Sequence, residues 1–349
     1  MLEDDGELSG ADGQDVRAKF DALLGSRGWI LADGATGTNL FALGMGAGDS
    51  PELLNVQQPE MVRAVYRNAI AGGADLILTN SFGGNRARLK LHAVAGRTRE
   101  LCQISAQLAH ETASEFGNGT IVAGSMGPTG ELMEPMGVLT PDVAVDIFLE
   151  QAEGLKAGGA DVAWIETISD IRELDCAAQA CFRAGLPYCA TLSFDTAGRT
   201  MMGVAPGDLA NWAADATWPP LAIGANCGAG AADLIRTILE FPKLKIGMHL
   251  IAKANAGIPK WEKGAIHYDG SPDLMADYAE LALRSGAKII GGCCGTTFRH
   301  IQRMRARLET FKGGATPMLE EIVGKLGQFS ADIGPDPKDR NRRQRRRRP

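Results

Sequence analysis

The sequence predicts an α/β protein built as a single (β/α)8 TIM barrel with short N-terminal and C-terminal extensions. Two observations predict it. Between residues 27 and 311 of the 349-residue chain, eight short apolar runs alternate with longer amphipathic stretches. Polar motifs directly follow seven of these runs, and they converge on one place only if the strands form a ring. The alternative is a doubly wound open sheet, which binds its ligand at one switch point.

The eight predicted strands are short runs of apolar and β-branched residues, and most end at a glycine or a polar residue. In chain order they are Trp29–Ala32, Asp75–Asn80, Ile121–Gly124, Val162–Glu166, Tyr188–Ser193, Leu221–Ala225, His249–Lys253 and Lys288–Gly291.

The segments between these strands have helical periodicity, and several begin at Pro and end at Gly, as helices do. Gly-Gly-Ala-Asp at 72–75 and again at 158–161 predicts a helix end that leads straight into a strand. The predicted helices include Pro59–Ala71, Arg97–Phe116, Pro141–Ala157, Ile171–Ala184, Ala231–Glu240 and Pro272–Ser285.

The chain divides into four predicted parts. Residues 1–16 form a flexible acidic N-terminus, 17–314 the barrel, 315–333 a short helical extension and 334–349 a disordered Arg-rich tail. The whole chain carries a net charge of −6 and the last twelve residues carry +7, so the remainder carries −13. An acidic body is a poor nucleic-acid-binding surface, which makes nucleic acid an unlikely partner.

Composition indicates a soluble, cytoplasmic protein. No apolar stretch approaches the roughly 18 residues that cross a bilayer, and the N-terminus does not resemble a signal sequence. We therefore expect no membrane association. The seven cysteines lack the spacing of a secreted disulfide framework, so we expect reduced thiols.

Three cysteines follow the ends of two predicted strands: Cys227 in Gly-Ala-Asn-Cys-Gly, and Cys293 with Cys294 in Gly-Gly-Cys-Cys-Gly-Thr-Thr. Three thiolates form a soft site that suits Zn²⁺ and leaves one coordination position open, which is the catalytic pattern. Two alternatives are ordinary buried cysteines and a disulfide between the adjacent pair. The remaining cysteines lie within predicted helices or strands and are interpreted as structural: Cys102, Cys176, Cys181 and Cys189.

Seven motifs occur along the chain in the same order as in a known protein family. They are Asp-Gly-Ala-Thr-Gly-Thr (33–38), Leu-Thr-Asn-Ser-Phe (78–82), Gly-Pro-Thr-Gly-Glu-Leu (127–132), Ile-Glu-Thr-Ile-Ser-Asp (165–170), Asn-Cys-Gly (226–228), Asn-Ala-Gly-Ile-Pro (255–259) and Gly-Gly-Cys-Cys-Gly-Thr-Thr (291–297). Over about residues 27–312 the sequence resembles the homocysteine S-methyltransferase family. That family includes betaine–homocysteine methyltransferase and the homocysteine-binding module of cobalamin-dependent methionine synthase.

The resemblance implies a zinc barrel that methylates homocysteine to methionine, with Cys227, Cys293 and Cys294 as zinc ligands and catalytic residues. The chemistry of the residues agrees with this implication. A free alkyl thiol is mostly protonated at neutral pH, whereas the thiolate is the nucleophile. Binding to Zn²⁺ displaces the thiol proton, so a zinc-bound homocysteine thiolate would attack the methyl donor without a general base.

The amino-acid end of homocysteine needs partners for its ammonium and carboxylate groups. Glu166 ends an apolar strand, where an unpaired carboxylate is costly unless something binds it, and we expect it to pair with the ammonium. Asp33 follows the first strand, and the family pattern gives it a similar role, with the backbone of Gly34 and Ala35 nearby. Taken without the family match, Asp33 is as well explained as a turn residue.

Two asparagines and two loop residues complete the candidate site. Asn226 and Asn255 either donate to the substrate carboxylate or tie loops together, and the sequence leaves both readings open. Thr129 and Glu131 are predicted to shape the mouth of the barrel. His249 is not predicted to bind metal, because it lies at the start of its strand and therefore at the opposite end of the barrel.

The methyl donor is predicted from what the sequence lacks. Betaine enzymes of the family place a Trp after the first strand and a Tyr after the second around the quaternary ammonium. The matching segments here, 48–52 and 80–85, contain neither. We therefore expect methylcobalamin carried on a separate corrinoid protein, with this chain as the homocysteine-binding subunit of a split cobalamin-dependent methionine synthase. The alternative is direct use of a small onium donor: betaine, a dimethylsulfonium compound or S-methylmethionine.

An alternative of another class is an interaction protein that docks through its Arg-rich tail, residues 334–349, on RNA, an anionic membrane or an acidic partner. The tail is separate from every candidate site residue in the sequence.

Overall fold

A computed structural model describes residues 11–241, 248–258, 260–262 and 265–331. Its centre is a ring of eight parallel strands, which confirms the predicted (β/α)8 barrel. The barrel strands are β1 (Ile30–Leu31), β2 (Leu76–Leu78), β3 (Ile121–Met126), β4 (Val162–Ile168), β5 (Tyr188–Leu192), β6 (Ala222–Cys227), β7 (His249–Ala254) and β10 (Ala287–Gly292).

The strands follow one another around the ring in the order β1, β10, β7, β6, β5, β4, β3 and β2. A single bridge between Ala32 and Leu76 joins the two ends of this series. Two backbone hydrogen bonds accompany it, from Asp33 N to Leu76 O at 2.9 Å and from Asp75 N to Leu31 O at 2.7 Å. The sheet is therefore a closed ring and not a doubly wound open sheet.

Helices surround the ring. Among the described residues the α-helices are α1 (Ala11–Arg27), α2 (Thr36–Ala42), α3 (Leu54–Gln57), α4 (Pro59–Ala71), α5 (Arg86–Leu89), α6 (Thr98–Phe116), α7 (Pro141–Ala157), α8 (Ile171–Ala184), α9 (Pro206–Asp215), α10 (Ala231–Ile238), α11 (Pro272–Arg284), α12 (Phe298–Thr310) and α13 (Leu319–Leu326). Short 3₁₀ helices span Pro51–Leu53, Lys90–His92 and Ala95–Arg97.

The helix boundaries have local causes. Helices α4, α7, α9 and α11 begin with proline, whose fixed φ suits the first helical turn and whose missing N–H is not needed there. The side chains of Thr140, Asp170 and Ser271 cap α7, α8 and α11 by accepting backbone N–H groups. An antiparallel hairpin that the sequence did not predict, β8 (Lys260–Glu262) with β9 (Ala265–His267), lies between β7 and α11.

Apolar side chains fill the interior of the barrel, with Trp164 the largest among them. Helix α1 packs Val16 and Phe20 against this core. The sequence predicts a flexible segment over 1–16, but α1 already begins at Ala11, and Val16 is only 1% exposed. The difference arises because α1 covers the end of the barrel where the strands begin. Residues 1–10 and the tail, 334–349, lie outside the described residues.

The C-terminal extension crosses the outside of the barrel. The guanidinium of Arg284, at the end of α11, donates to both carboxylate oxygens of Glu321 in α13, at 2.6 and 2.8 Å. Ile322 and Leu326 are buried beneath α13. Within the described part of the chain, no helix combines the length and the apolar character needed to cross a membrane.

Candidate metal and substrate site

The three cysteines meet where β6 and β10 end. Cys227 is the last residue of β6, and Cys293 and Cys294 follow β10 directly. Their Sγ atoms all lie within 4.8 Å of one another. All three side chains are half-buried free thiols, so the structure contains no disulfide between Cys293 and Cys294. The fold thus brings together the three sulfurs that the sequence places at two strand ends.

The backbone at Cys227 is unusual, and a neighbouring amide supports it. Cys227 has φ of +60°, a left-handed conformation that is uncommon for a residue other than glycine. The Asn255 side chain donates to Cys227 Sγ at 3.5 Å and to Gly228 O at 2.9 Å, and its Oδ1 accepts from Cys294 N at 3.0 Å. One asparagine therefore joins the loops after β6, β7 and β10 at the cysteines.

Asn226 has a similar position on the other side. Its Oδ1 accepts from Thr167 N at 2.9 Å, and its Nδ2 donates to Thr167 Oγ1 at 2.7 Å. The same Nδ2 lies 3.9 Å from Cys293 Sγ. In the structure both asparagines tie loops together, which is one of the two roles that the sequence left open. Binding of the substrate by Asn226 or Asn255 stays a prediction.

The pKa of each of the three thiols is raised. For Cys293 the largest cause is its hydrogen bond to Cys227, and burial adds to it. For Cys227 the hydrogen bond to Cys293 lowers the pKa, but that to Cys294 and burial raise it to about 11. For Cys294 the hydrogen bond to Cys227 lowers the pKa, but that to Cys293 and burial raise it to about 12. Adjacent thiolates repel one another, so the three residues favour the protonated thiol form. A divalent cation between them would favour the thiolate form instead.

Asp33 and Glu166 lie inside the barrel, and the charge of one buried lysine, Lys253, acts on both. Asp33 Oδ2 accepts from Leu78 N at 2.7 Å, and Oδ1 accepts from Lys253 Nζ at 2.7 Å. Glu166 Oε1 accepts from the Ser125 hydroxyl at 2.5 Å. Burial raises the pKa of both carboxyl groups, and the charge of Lys253 partly opposes this rise in each.

Lys253 is a residue of this site that the sequence analysis missed. Its side chain is buried, and its Nζ lies 5.7 Å from the centre of the Trp164 ring. Its register partners are Asn226 and Gly291, and the next residue, Ala254, pairs with Cys227. Lys253 is therefore one residue below the level of Cys227. The missed signal is a single charged residue near the end of an otherwise mostly apolar strand.

Tyr268 is a second residue that was missed. Its side chain stands beside the cysteine loop and acts to lower the pKa of Cys294, and it packs so closely on Gly295 that a Cβ there would lie 2.4 Å from the Tyr268 side chain. Gly295 also has φ of +78°. Only glycine fits this position well, and it lets the aromatic ring stand beside the cysteine loop.

Close packing and hydrogen bonds hold the loops after β1 and β3 in place. A Cβ at Gly34 would lie 2.6 Å from Thr296 O, so the Gly34–Ala35 turn packs tightly on the loop that follows Cys294. Thr129, which is predicted to shape the mouth of the barrel, is fixed in its loop by Glu173. Its backbone N–H and hydroxyl donate to Glu173 Oε1 at 2.8 and 2.6 Å, and its side chain is buried. Glu173, which was not predicted, anchors this loop to α8.

Two other predicted residues lie away from the sulfurs. Glu131 forms an ion pair with Lys90 near the third loop. His249 is the first residue of β7, at the end of the barrel opposite the cysteines, as expected. Burial lowers the pKa of His249. Neither residue belongs to the sulfur cluster, the only group of three or more Cys, His, Asp or Glu with metal-ligand spacing among the described residues.

Comparison with known sequences identifies a family. A family model described as "Homocysteine S-methyltransferase" matches residues 30–308. Methionine synthase from Mycobacterium tuberculosis (strain ATCC 25618 / H37Rv) is 32% identical over 305 residues, covering 81% of this chain and 25% of that protein. Methionine synthase from Mycobacterium leprae (strain TN) is 30% identical over 316 residues, covering 84% and 25%. The chain spans about a quarter of the length of these relatives.

Comparison with solved structures agrees on the fold. The metallated form of the homocysteine methyltransferase MmuM from Escherichia coli superposes with a TM-score of 0.69 at 23% identity, covering 82% of this chain and 98% of that chain. The oxidised form gives 0.70, also at 23% identity, covering 82% and 99%. At this level of identity the likeness shows a shared barrel and no more.

Proposed function

The chain belongs to the homocysteine S-methyltransferase family, and from this premise we propose that it methylates homocysteine to methionine with a zinc ion held by Cys227, Cys293 and Cys294. The observation that carries the proposal is the approach of these three sulfur atoms to within 4.8 Å of one another. The family match makes the chain a methyltransferase. The metal, the individual residue roles and the donor are what is proposed.

The sulfur geometry fits zinc. A tetrahedral zinc ion with Zn–S bonds of about 2.3 Å holds its sulfur ligands roughly 3.8 Å apart, and the limit of 4.8 Å requires only small side-chain movements to reach this. Thiolates are soft ligands that favour zinc over magnesium or calcium. Three protein ligands leave one tetrahedral position for the substrate sulfur.

When bound, zinc supplies the Lewis acidity that displaces the thiol proton of homocysteine and keeps its sulfur nucleophilic at neutral pH. The protein supplies position. Asn255 and Asn226 hold the cysteine loops through the contacts described above. Glu166, with one oxygen already bound by Ser125, accepts the substrate ammonium on its other oxygen.

Metal analysis tests the centre of this proposal. Protein purified under reducing conditions should contain about one zinc per chain, because one three-sulfur cluster supplies one site. Cys227→Ala and Cys294→Ala should each lose zinc and homocysteine methylation, since two thiolates hold the ion weakly. Cys181→Ala is the matched control, because Cys181 is a buried free thiol that lies outside the cluster, and it should retain both. Full zinc content in Cys227→Ala would contradict the proposal.

We propose that the methyl donor is methylcobalamin on a separate corrinoid protein. Two observations support this. Two relatives with at least 30% identity are methionine synthases, and this chain matches about a quarter of the length of each. Segments 48–52 and 80–85 contain no Trp or Tyr to enclose an onium cation.

A small onium donor is the second candidate, and Tyr268 favours it. Its side chain packs against Gly295, the residue after Cys294, so an aromatic ring stands beside the sulfur centre, and aromatic faces attract onium cations. The two donors are separated by measuring methionine formation from homocysteine with betaine, a dimethylsulfonium compound and S-methylmethionine, each with and without a methylcobalamin protein. Turnover that requires the corrinoid protein supports the first candidate. Rapid turnover with betaine alone rejects it.

A further inference from the structure

Three ionisable side chains share the barrel interior below the cysteines. Lys253 is 1% exposed, Asp33 is 4% exposed and Glu166 is 8% exposed. Lys253 Nζ lies 2.7 Å from Asp33 Oδ1, and its charge also acts on Glu166. Nothing in the packing requires a cation here, because the neighbouring core side chains, Trp164 and Ile251, are apolar.

A buried ion pair often adds little to the stability of a protein. The free energy needed to remove two charges from water often exceeds the free energy of their attraction, and apolar replacements of similar size are frequently neutral or stabilising. The pair formed by Asp33 and Lys253 lies one residue below the level of Cys227, in the layer that also holds Asn226. Its position beside the substrate site indicates a role in binding charge.

The charges in this layer match the substrate. With both carboxylates ionised, Asp33 and Glu166 carry −2 and Lys253 carries +1, so the interior carries −1. Homocysteine brings one ammonium group to this region, which gives neutrality. Without Lys253, the interior would carry −2 and would favour a ligand with more positive charge. Charges only a few ångströms apart interact strongly at a partly buried site, which is enough to decide between such ligands.

Resting on the proposed function, we propose that Lys253 determines the specificity of the amino-acid subsite. Its ammonium group neutralises Asp33, so the subsite presents one uncompensated carboxylate, that of Glu166. Loss of the Lys253 charge would therefore shift the preference of the subsite toward a thiol that carries an ammonium group without a carboxylate. Lys253 acts through charge and through Asp33, and it takes no part in the methyl transfer.

The test compares two thiols. Homocysteine is compared with 3-aminopropane-1-thiol, which keeps the thiol and the ammonium group but lacks the carboxylate. Dissociation constants are measured by titration calorimetry on zinc-loaded protein at about pH 7.5, where an alkylammonium stays protonated. The wild-type chain should prefer homocysteine. Lys253→Met should shift the ratio of the two constants at least tenfold toward the aminothiol, because one positive charge is lost from the interior.

Three further variants separate a charge role from a structural one. Lys253→Arg keeps the charge and should hold the ratio within threefold of wild type. Lys253→Met combined with Asp33→Asn removes both members of the pair, restores the interior charge to −1 and should return the ratio to within threefold of wild type. Lys19→Met is the matched control: Lys19 also pairs with an aspartate, Asp161, at 2.7 Å, but outside the site, and the ratio should not change.

Each outcome decides a different question. Equal weakening of both ligands in Lys253→Met, or an unchanged ratio, overturns the inference while leaving the proposed function intact. If Lys253→Met fails to fold, the double variant decides, because its pair is neutral, and a ratio far from wild type overturns the inference. Wild-type protein that binds neither thiol contradicts the proposed function itself, and the inference is then wrong with it.

Discussion

Glu166 shows how a single buried carboxyl group links stability to binding. Burial raises its pKa, and neither the charge of Lys253 nor the Ser125 hydroxyl offsets this rise. A carboxyl group with a raised pKa in the folded state contributes most to stability at low pH. That contribution is lost as the pH rises through the folded pKa. Above the ordinary glutamate pKa, therefore, burial of Glu166 lowers the stability of the empty protein, and a bound ammonium compensates for this.

Glu166→Gln separates the two effects. The variant should have a higher free energy of unfolding than wild type at neutral pH, because no charge is buried, and the difference should close on acidification toward the ordinary glutamate pKa of about 4.3. Its affinity for homocysteine should fall at least tenfold, since a hydrogen bond between charged groups contributes about 1.5–3 kcal/mol. Denaturant unfolding at several pH values and calorimetry measure the two. An unchanged affinity would remove Glu166 from the substrate site.

At the residue scale, chemical type was predictable and pairing was not. Cys227, Cys293 and Cys294 could be predicted because three thiols at two strand ends have few other uses. The pairing of Asp33 with Lys253 could not, because the two residues are 220 positions apart and only the closed ring makes them neighbours. The position of Tyr268 against the cysteine loop depends in the same way on tertiary packing.

At the scale of elements, the segment 315–331 forms an arm along the outside of the barrel. Its lower end is held by Arg284, which bonds Ala315 O at 2.7 Å and Glu321. Its upper end reaches the start of α10, the helix that follows Cys227. There Asp233 Oδ2 accepts from Ser330 N at 3.0 Å. The Arg236 guanidinium donates to Ala331 O at 2.8 Å, and its centre lies 4.3 Å from the centre of the Phe329 ring.

Removal of this arm should destabilise the protein. A chain that ends at Gly314 lacks Ile322 and Leu326, and burial of each such side chain contributes about 1.5–3 kcal/mol. We therefore expect the free energy of unfolding to fall by about 3–6 kcal/mol in urea titration. A chain that ends at Ile333 keeps the arm, removes the Arg-rich tail and should match wild type in stability and zinc content. Equal stability of the two shortened chains would contradict the role of the arm.

Barrel strands and long helices were predictable because their periodicity is local. Each of the eight predicted strands coincides with an observed one to within a few residues. The hairpin of β8 and β9 was not, because Lys-Trp-Glu and Ala-Ile-His are too short to show a pattern. The start of α1 at Ala11 was missed because its first turns are polar and acidic, and only contact with the barrel core explains Val16.

At the scale of the whole molecule, the closed ring could be predicted from the positions of the polar residues along the sequence. Motifs after seven strands can face one ligand only in a closed barrel, and the structure has that barrel. Charge is distributed unevenly along the chain. The body carries −13 and the last twelve residues +7, so an acidic partner would meet the tail more readily than the body. The residues proposed for chemistry all lie between Asp33 and Cys294.

The junction between β1 and β2 has a consequence for the whole ring. Those two strands share a single bridge, at Ala32 and Leu76, and the carboxylate of Asp33 adds a bond across the same junction to the amide of Leu78. One of the bonds that close the barrel thus comes from a side chain that is also proposed to lie in the substrate site. An interaction that stabilises this carboxylate should therefore also stabilise the junction between β1 and β2. Local opening of the junction should in turn weaken substrate binding.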